Sequence, residues 1–207
     1  MKVERFIFGP FGTNCYVVND EKGHVLLVDP ACASPYEEQV LYNYIQKSGI
    51  ADLSIIATHG HLDHLWGAAW ACEQWHTPVL MHEADIPMAR AMQGQYDLFG
   101  VRRKAEPFPM ESLTVKRSNS ATVLQRSGLS ILSTPGHTPG SICLYWEKEK
   151  VLISGDTLFQ MGYGRTDLPG GDWGQLLDSL DSLFALPSDV RVYPGHGEFT
   201  TIAAERR

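Results

Sequence analysis

The chain has 207 residues, enough for one domain with a sizeable core and too few for a second of comfortable size. Its 43% hydrophobic and 20% charged residues are the proportions of an ordinary globular protein and argue against disorder. The net charge of -7, with Arg102-Arg103-Lys104 as the one basic cluster, argues against a nucleic-acid partner.

The opening segment MKVERFIFGPFGTNCYVV mixes charges with apolar residues and breaks at Gly9-Pro10. It reads as neither a signal peptide nor a membrane span, so a cytoplasmic location and no membrane partner are expected. Residues 3–8 and 14–19 read as strands separated by FGPFGT, and 25–30 as a third after the turn NDEKG, giving an antiparallel start. Ser34, Pro35 and Glu37 then supply a cap, a first-turn proline and a capping-box carboxylate. The helix they open gathers Val40, Leu41, Tyr44 and Ile45 on one face, with Gly49 to end it.

Four β-branched or apolar runs follow at 53–64, 129–140, 150–159 and 190–198, and each ends in histidine or aspartate. Between them, 65–75, 83–93 and 172–186 read as helices. The last places Leu176, Leu177, Leu180, Leu183 and Phe184 on one face and stops at Pro187. The stretch 94–121 is the least regular and reads as a loop or lid. Alternating strands and helices, with enough strands for two sheets, predict an α/β sandwich. Cys15, Cys32, Cys72 and Cys143 are scattered without a CxxC pair, so reduced, buried thiols are expected.

Periodicity does not explain why polar, metal-competent residues stand at the carboxyl end of all four runs. His59 and His61 lie two apart, and in an extended backbone they point to the same side. Asp63 and His64 follow at once, more donors than one tetrahedral ion takes from a single loop, which implies a second ion. His137, Asp156 and His196 complete a set of seven ligands, with Asp156 as the bridge. Two ions roughly 3.5 to 4 Å apart share a water and present it as hydroxide near neutral pH.

THGHLDH, PGHTPGS, SGDTLF and YPGHG, taken in this order, resemble the metallo-β-lactamase superfamily and within it the glyoxalase II (hydroxyacylglutathione hydrolase) branch. The segment Gly164-Arg165-Thr166-Asp167 is similar to the same branch, which includes short single-domain members and persulfide dioxygenases. Asp156 stands where the commonest class B β-lactamases carry cysteine, and His61 where flavodiiron proteins carry glutamate. The resemblance implies a four-layer αββα sandwich over residues 1–207 as a single domain, without the C-terminal helical domain that contacts glutathione. It implies two divalent metal ions, zinc first with iron or manganese as options, and a small-molecule thioester as substrate. The reaction implied is hydrolysis of S-lactoylglutathione or a related acylthiol, with Asp63 orienting the hydroxide or relaying its proton. The chain would be a monomer or a homodimer. The rivals are a persulfide dioxygenase with one iron on His59, His137 and Asp156, and a lactone or other ester hydrolase.

Other residues carry blander expectations. His24, His76 and His82 stand alone and read as structural or solvated. Asp29, at a strand end beside proline, serves equally well as a turn former or as an orienter of a metal ligand. Arg165 and Asp167 are expected to pair, and Trp66, Trp70 and Trp75 to pack helix against sheet.

Overall fold

In the computed structural model, which describes residues 1–20, 23–47, 49, 52–113 and 128–206, the chain forms two units, Met1–Ser112 and Leu113–Arg207. The first opens as its alternation predicts. Strands β1 (Lys2–Phe8), β2 (Thr13–Asn19) and β3 (His24–Val28) pair antiparallel, Lys2 opposite Asn19 and Tyr16 opposite Val28. Helix α1 (Pro35–Lys47) follows, and strand β4 (Asp52–Ile56) returns parallel to β3. Helix α2 (Ala68–Trp75) and strand β5 (Val79–His82) repeat that step, and β6 (Met110–Leu113) completes a sheet ordered β1-β2-β3-β4-β5-β6 among the described residues.

The Ser34 hydroxyl caps α1 as expected, accepting from Glu37 N at 3.4 Å, but Glu37 departs from the other half of the capping box. Its carboxylate accepts from the backbone of Ala33 at 2.7 Å and of Gly9 at 3.0 Å, so it ties the β1–β2 turn to the start of α1. Alternate residues of β2 and β3, Cys15, Val17, Val25 and Leu27, pack with Leu41 and Ile45 of α1 and Ala68, Ala71 and Cys72 of α2 in one core. Tyr16, Val18, Leu26 and Val28 on the opposite face of these strands are buried as well.

The stretch after β5 is more helical than the sequence suggests. A 3₁₀ turn (Glu83–Asp85) leads into α3 (Ile86–Arg90) and α4 (Met92–Leu98), the latter starting within the helix expected at 83–93 and running on into the segment expected to be a loop or lid. Residues 114–121 of that segment lie outside the described residues.

In the second unit, β7 (Leu129–Ser133), β8 (Ile142–Trp146) and β9 (Val151–Gly155) pair antiparallel in turn. A short hairpin, β10 (Leu158–Phe159) and β11 (Gly162–Tyr163), precedes α5 (Trp173–Phe184). Strand β12 (Arg191–Pro194) then joins β9 in parallel, with β13 (Thr200–Thr201) and α6 (Ile202–Glu205) after it. Asp172 caps α5 by accepting from Gln175 N at 2.9 Å. Leu176, Leu180 and Leu183 enter the core as expected, but Leu177 is 43% exposed, one residue off the buried stripe, and Ser179 takes a buried place. Strands β8 and β9 are buried at every position, so periodicity had no alternation to show there.

All four cysteines are free and buried. Burial pushes the Cys72 and Cys143 thiols up to about 11, and those of Cys15 and Cys32 higher still. Treatment of the native protein with a thiol reagent at pH 8 is expected to label none of them, and all four should react after unfolding. Rapid labelling of the folded chain would show that a thiol reaches solvent. Among the described residues, no helix is long and apolar enough to cross a membrane.

Candidate metal centre

Each sequence-predicted ligand lies in the loop just beyond a strand. In the first unit β4 ends at Ile56, and His59, His61, Asp63 and His64 follow on a loop and turn. The extended backbone expected for His59 and His61 is therefore absent, yet the two imidazoles still meet, with ring centroids 4.8 Å apart and a nitrogen of each within 4.8 Å. His59 and His64 are closer, at 4.1 Å between centroids. Nε2 of His64 stands 3.6 Å from Oδ2 of Asp63, which also accepts from the Thr13 hydroxyl at 2.8 Å.

Three residues shape this loop. Asp29 sits just past β3 at φ 52, a conformation that aspartate tolerates better than most side chains. It is buried to 1% exposure. Its Oδ1 accepts from the Thr58 backbone at 2.7 Å, and its Oδ2 from the Thr58 hydroxyl at 2.7 Å and from Nδ1 of His64 at 2.8 Å. The Thr58 hydroxyl gives its one proton to Asp29, so at 3.1 Å from Nδ1 of His59 it is the acceptor. One carboxylate thereby sets the tautomer of two histidines, directly and through a hydroxyl.

Asp85 and Gln95 hold the loop from outside. Asp85 Oδ2 accepts from Gly60 N at 2.8 Å. Gln95 of α4 accepts from Leu62 N at 2.9 Å and donates to Gly60 O at 2.9 Å and Met88 O at 3.1 Å. A Cβ on Gly60 would lie 3.0 Å from Asp85 O, so glycine allows this close approach. Neither Asp85 nor Gln95 was legible in the sequence. Their roles rest on tertiary approach, and Gln95 lies in a stretch without pattern.

In the second unit, His137 follows β7, Asp156 follows β9 directly, and His196 follows β12. Oδ2 of Asp156 lies 3.5 Å from Nε2 of His137 and 3.5 Å from Nε2 of His196, so one carboxylate oxygen faces two imidazoles. Nδ1 of His137 is 2.7 Å from the carbonyl of Arg165, an acceptor only, so Nδ1 carries the proton and Nε2 the lone pair. Arg165 itself forks onto Asp167 with two contacts of 2.6 Å, as expected, and holds that carboxyl down at about 2.

The remaining histidines take the structural places expected of them. His82 Nδ1 accepts from Ala84 N at 3.2 Å, His76 closes α2 at φ 50, and His24 lies 3.6 Å from Asp52.

The donor set therefore consists of imidazole nitrogens and carboxylate oxygens without a thiolate, which suits zinc, iron or manganese. Fixed Nδ1 protons leave lone pairs on Nε2 for a metal ion, and in this respect the residues fit.

A family profile described as the metallo-β-lactamase superfamily matches residues 8–196. A probable metallo-hydrolase of Bacillus subtilis, YqgX, is 33% identical over 100% of this chain and 95% of its own. The hydroxyacylglutathione hydrolase GloC of Haemophilus influenzae is 32% identical over 100% of this chain and 96% of its own. Among solved structures, TTHA1623 in a di-iron-bound form superposes with a TM-score of 0.85 at 33% identity, covering 99% of this chain and 97% of that one. With a profile matching nearly its whole length and full-length relatives above 30% identity, the chain belongs to the metallo-β-lactamase superfamily and has its α/β fold.

Proposed function

We propose that the protein is a metal-dependent thioester hydrolase acting on S-lactoylglutathione or a related acylthiol. The proposed ligands of two divalent ions are His59, His61, Asp63, His64, His137, Asp156 and His196, with zinc the first candidate and iron or manganese the others. One observation carries the reading. Nε2 of His137, its ring proton committed at Nδ1, faces a carboxylate oxygen of Asp156 at 3.5 Å, so two electron-pair donors confront each other. Nε2 of His64 faces Asp63 at 3.6 Å in the same way, its Nδ1 proton held by Asp29. Such pairs are stabilised by a cation between them, and two such pairs support two cation positions. The likeness to a hydroxyacylglutathione hydrolase along its full length supports the thioester.

When bound, divalent ions supply a water that ionises near neutral pH and a Lewis acid for the carbonyl. The chain's own residues supply orientation. Thr13 holds Oδ2 of Asp63, which fixes that carboxylate to aim an attacking hydroxide or take its proton. Asp156, with one oxygen 3.5 Å from two imidazoles, would hold an ion together with His137 or His196. His137 is held by the Arg165 carbonyl, so its ring cannot turn away as charge develops.

The test is S-lactoylglutathione hydrolysis by the purified protein, with metal content measured on the same sample and a chelated control. The expected result is turnover that chelator removes and added metal restores, with about two ions per chain. One iron per chain and no thioester turnover would overturn the reading and direct attention to oxygen uptake with glutathione persulfide.

A further inference from the structure

The one basic cluster of this acidic chain is built into a cleft that the metal chemistry does not use. Arg102, Arg103 and Lys104 line a cleft of about 580 Å³ together with Gln93 and Asp97 of α4. The loop that carries the three cations is fixed at both ends. Val101 and Ala105 pack against the core of the first unit. Val101 N donates to Tyr96 O at 2.8 Å, and Ala105 N donates to Oε1 of Gln93 at 2.9 Å. Nε2 of Gln93 donates to the carbonyl of Arg103 at 3.5 Å and to Oδ1 of Asp97 at 3.0 Å, so the one carboxylate in the cleft is already engaged.

The cations themselves are poorly matched by acids. Arg103 faces Glu106 at 3.8 Å, a long pair near the surface that offsets little of its charge. Arg102 and Lys104 are exposed and have no acidic partner among the described residues, and the backbone N–H groups of Arg102, Arg103 and Lys104 have no protein acceptor among them either. Guanidinium forks, an ammonium and free amides on one anchored loop form a donor set without an acceptor. A guanidinium matches two oxygens of one phosphate, and an ammonium adds a point charge to a third. The volume lies within the roughly 300 to 1,000 Å³ of small-molecule sites, more than a lone phosphate fills. The net charge of -7 over the whole chain opposes a long polyanion.

The cleft lies behind the helix that braces the ligand loop. Gln93 and Asp97 are four residues apart and share one face of α4. Gln95, two residues from each, turns to the other side and holds Gly60 and Leu62. A phosphate beside Arg102 and Lys104 therefore has α4 between it and the residues proposed to bind metal.

We propose that this cleft binds the phosphate end of a small phosphorylated molecule of the nucleoside diphosphate kind, separately from the metal centre, with Arg102 and Lys104 as its main contacts. This goes beyond the thioesterase reading and does not rest on it. Two sources present that chemistry: a free nucleotide, and a nucleotide-linked thiol carrier such as coenzyme A, whose long arm passes the end of α4.

Calorimetric titration of the metal-loaded protein with ADP, adenosine and desulfo-coenzyme A, which has the phosphates but no thiol to bind metal, provides the test, with a chelated sample run alongside. ADP and desulfo-coenzyme A should bind and adenosine should not, and raising salt from about 50 to about 200 mM should weaken ADP several-fold. The double variant Arg102→Gln/Lys104→Gln, changed only at exposed positions, should lose at least about tenfold in ADP affinity with metal content and melting unchanged. Asp97→Asn keeps the acceptor for Gln93 and removes a charge, so it should tighten ADP about two- to threefold. Unchanged ADP affinity in the double variant would overturn the proposal. So would ADP binding that vanishes in the chelated sample, because the phosphates would then sit on the ions. Desulfo-coenzyme A binding more tightly than ADP assigns the cleft to a nucleotide-linked thiol, and equal or weaker binding assigns it to a free nucleotide.

Discussion

Replacing Gly164 with alanine is expected to remove hydrolytic activity by at least about a hundredfold, with metal content falling in parallel. The residue is remote from any proposed ligand in sequence. Its space is nevertheless occupied: a Cβ there would stand 1.9 Å from the Asp156 carbonyl oxygen and 3.0 Å from Cγ and Nδ1 of the His137 ring. Backbone cannot yield as a flexible side-chain end would, so the strand-to-loop path carrying Asp156 must move, or the His137 ring must. Either motion breaks the 3.5 Å register of their Nε2 and Oδ2 atoms and disturbs the 2.7 Å bond to Arg165. Overpacking of this kind costs on the order of 3 kcal/mol, so the melting temperature should fall as well. Metal analysis and thermal denaturation of the variant provide the check. A variant with normal metal content and wild-type melting would mean that the close approach is relieved without moving the ligands.

The second large effect is expected at Asp29. Asn keeps the size of the side chain and tolerates φ 52, so Asp29→Asn isolates the hydrogen bonding from the backbone. Three donors converge on this carboxylate, from Thr58 N, the Thr58 hydroxyl and His64 Nδ1. Whichever way the amide is turned, its NH₂ faces at least one of them, donor against donor. The cheapest escape is for His64 to move its proton to Nε2, the atom proposed to bind metal. Metal affinity should fall by about ten- to a hundredfold, and the buried mismatch should destabilise the fold by about 1 to 3 kcal/mol. Competition with a fluorescent chelator measures the first and chemical denaturation the second. Unchanged metal affinity would show that the His64 tautomer is set by something other than Asp29.

Asp29 also shows how far the sequence alone carries. Its position beside Pro30 at a strand end left a turn and an orienting role equally open, because nothing local says which side chains a buried carboxylate will meet. The seven proposed ligands were legible for the opposite reason. They are chemically rare types, crowded into short motifs at the ends of apolar runs, and the structure places each just beyond β4, β7, β9 or β12. The route to them was only partly legible. His59 and His61 come together on a loop pressed against Asp85 and gripped by Gln95, a tertiary effect that residue spacing does not encode. Strand β8 and the part of helix α4 beyond residue 93 went unrecognised: β8 is buried throughout, as the recognised β9 is, but lacks the metal-competent residue at its end that marked the other runs, and the remaining turn of α4 is too short to display a period. Leu177 marks the same limit, since a helical stripe can be read to within one position of its edge but not at the edge itself.

Strand β9 bears on how firmly the site is held. Its five residues are buried without exception, between β8 and β12, and the next residue is Asp156, partly open to solvent. Amide exchange should therefore be slow along the strand and stay slow past its end, where Thr157 and Leu158 are buried too and Thr157 N donates to Ser154 O, because opening free energy follows burial and hydrogen bonding. The carboxylate proposed to be shared between ions is thus anchored between buried segments on both sides. Release of an ion held by Asp156 should then be slow, since moving its backbone means opening protected segments.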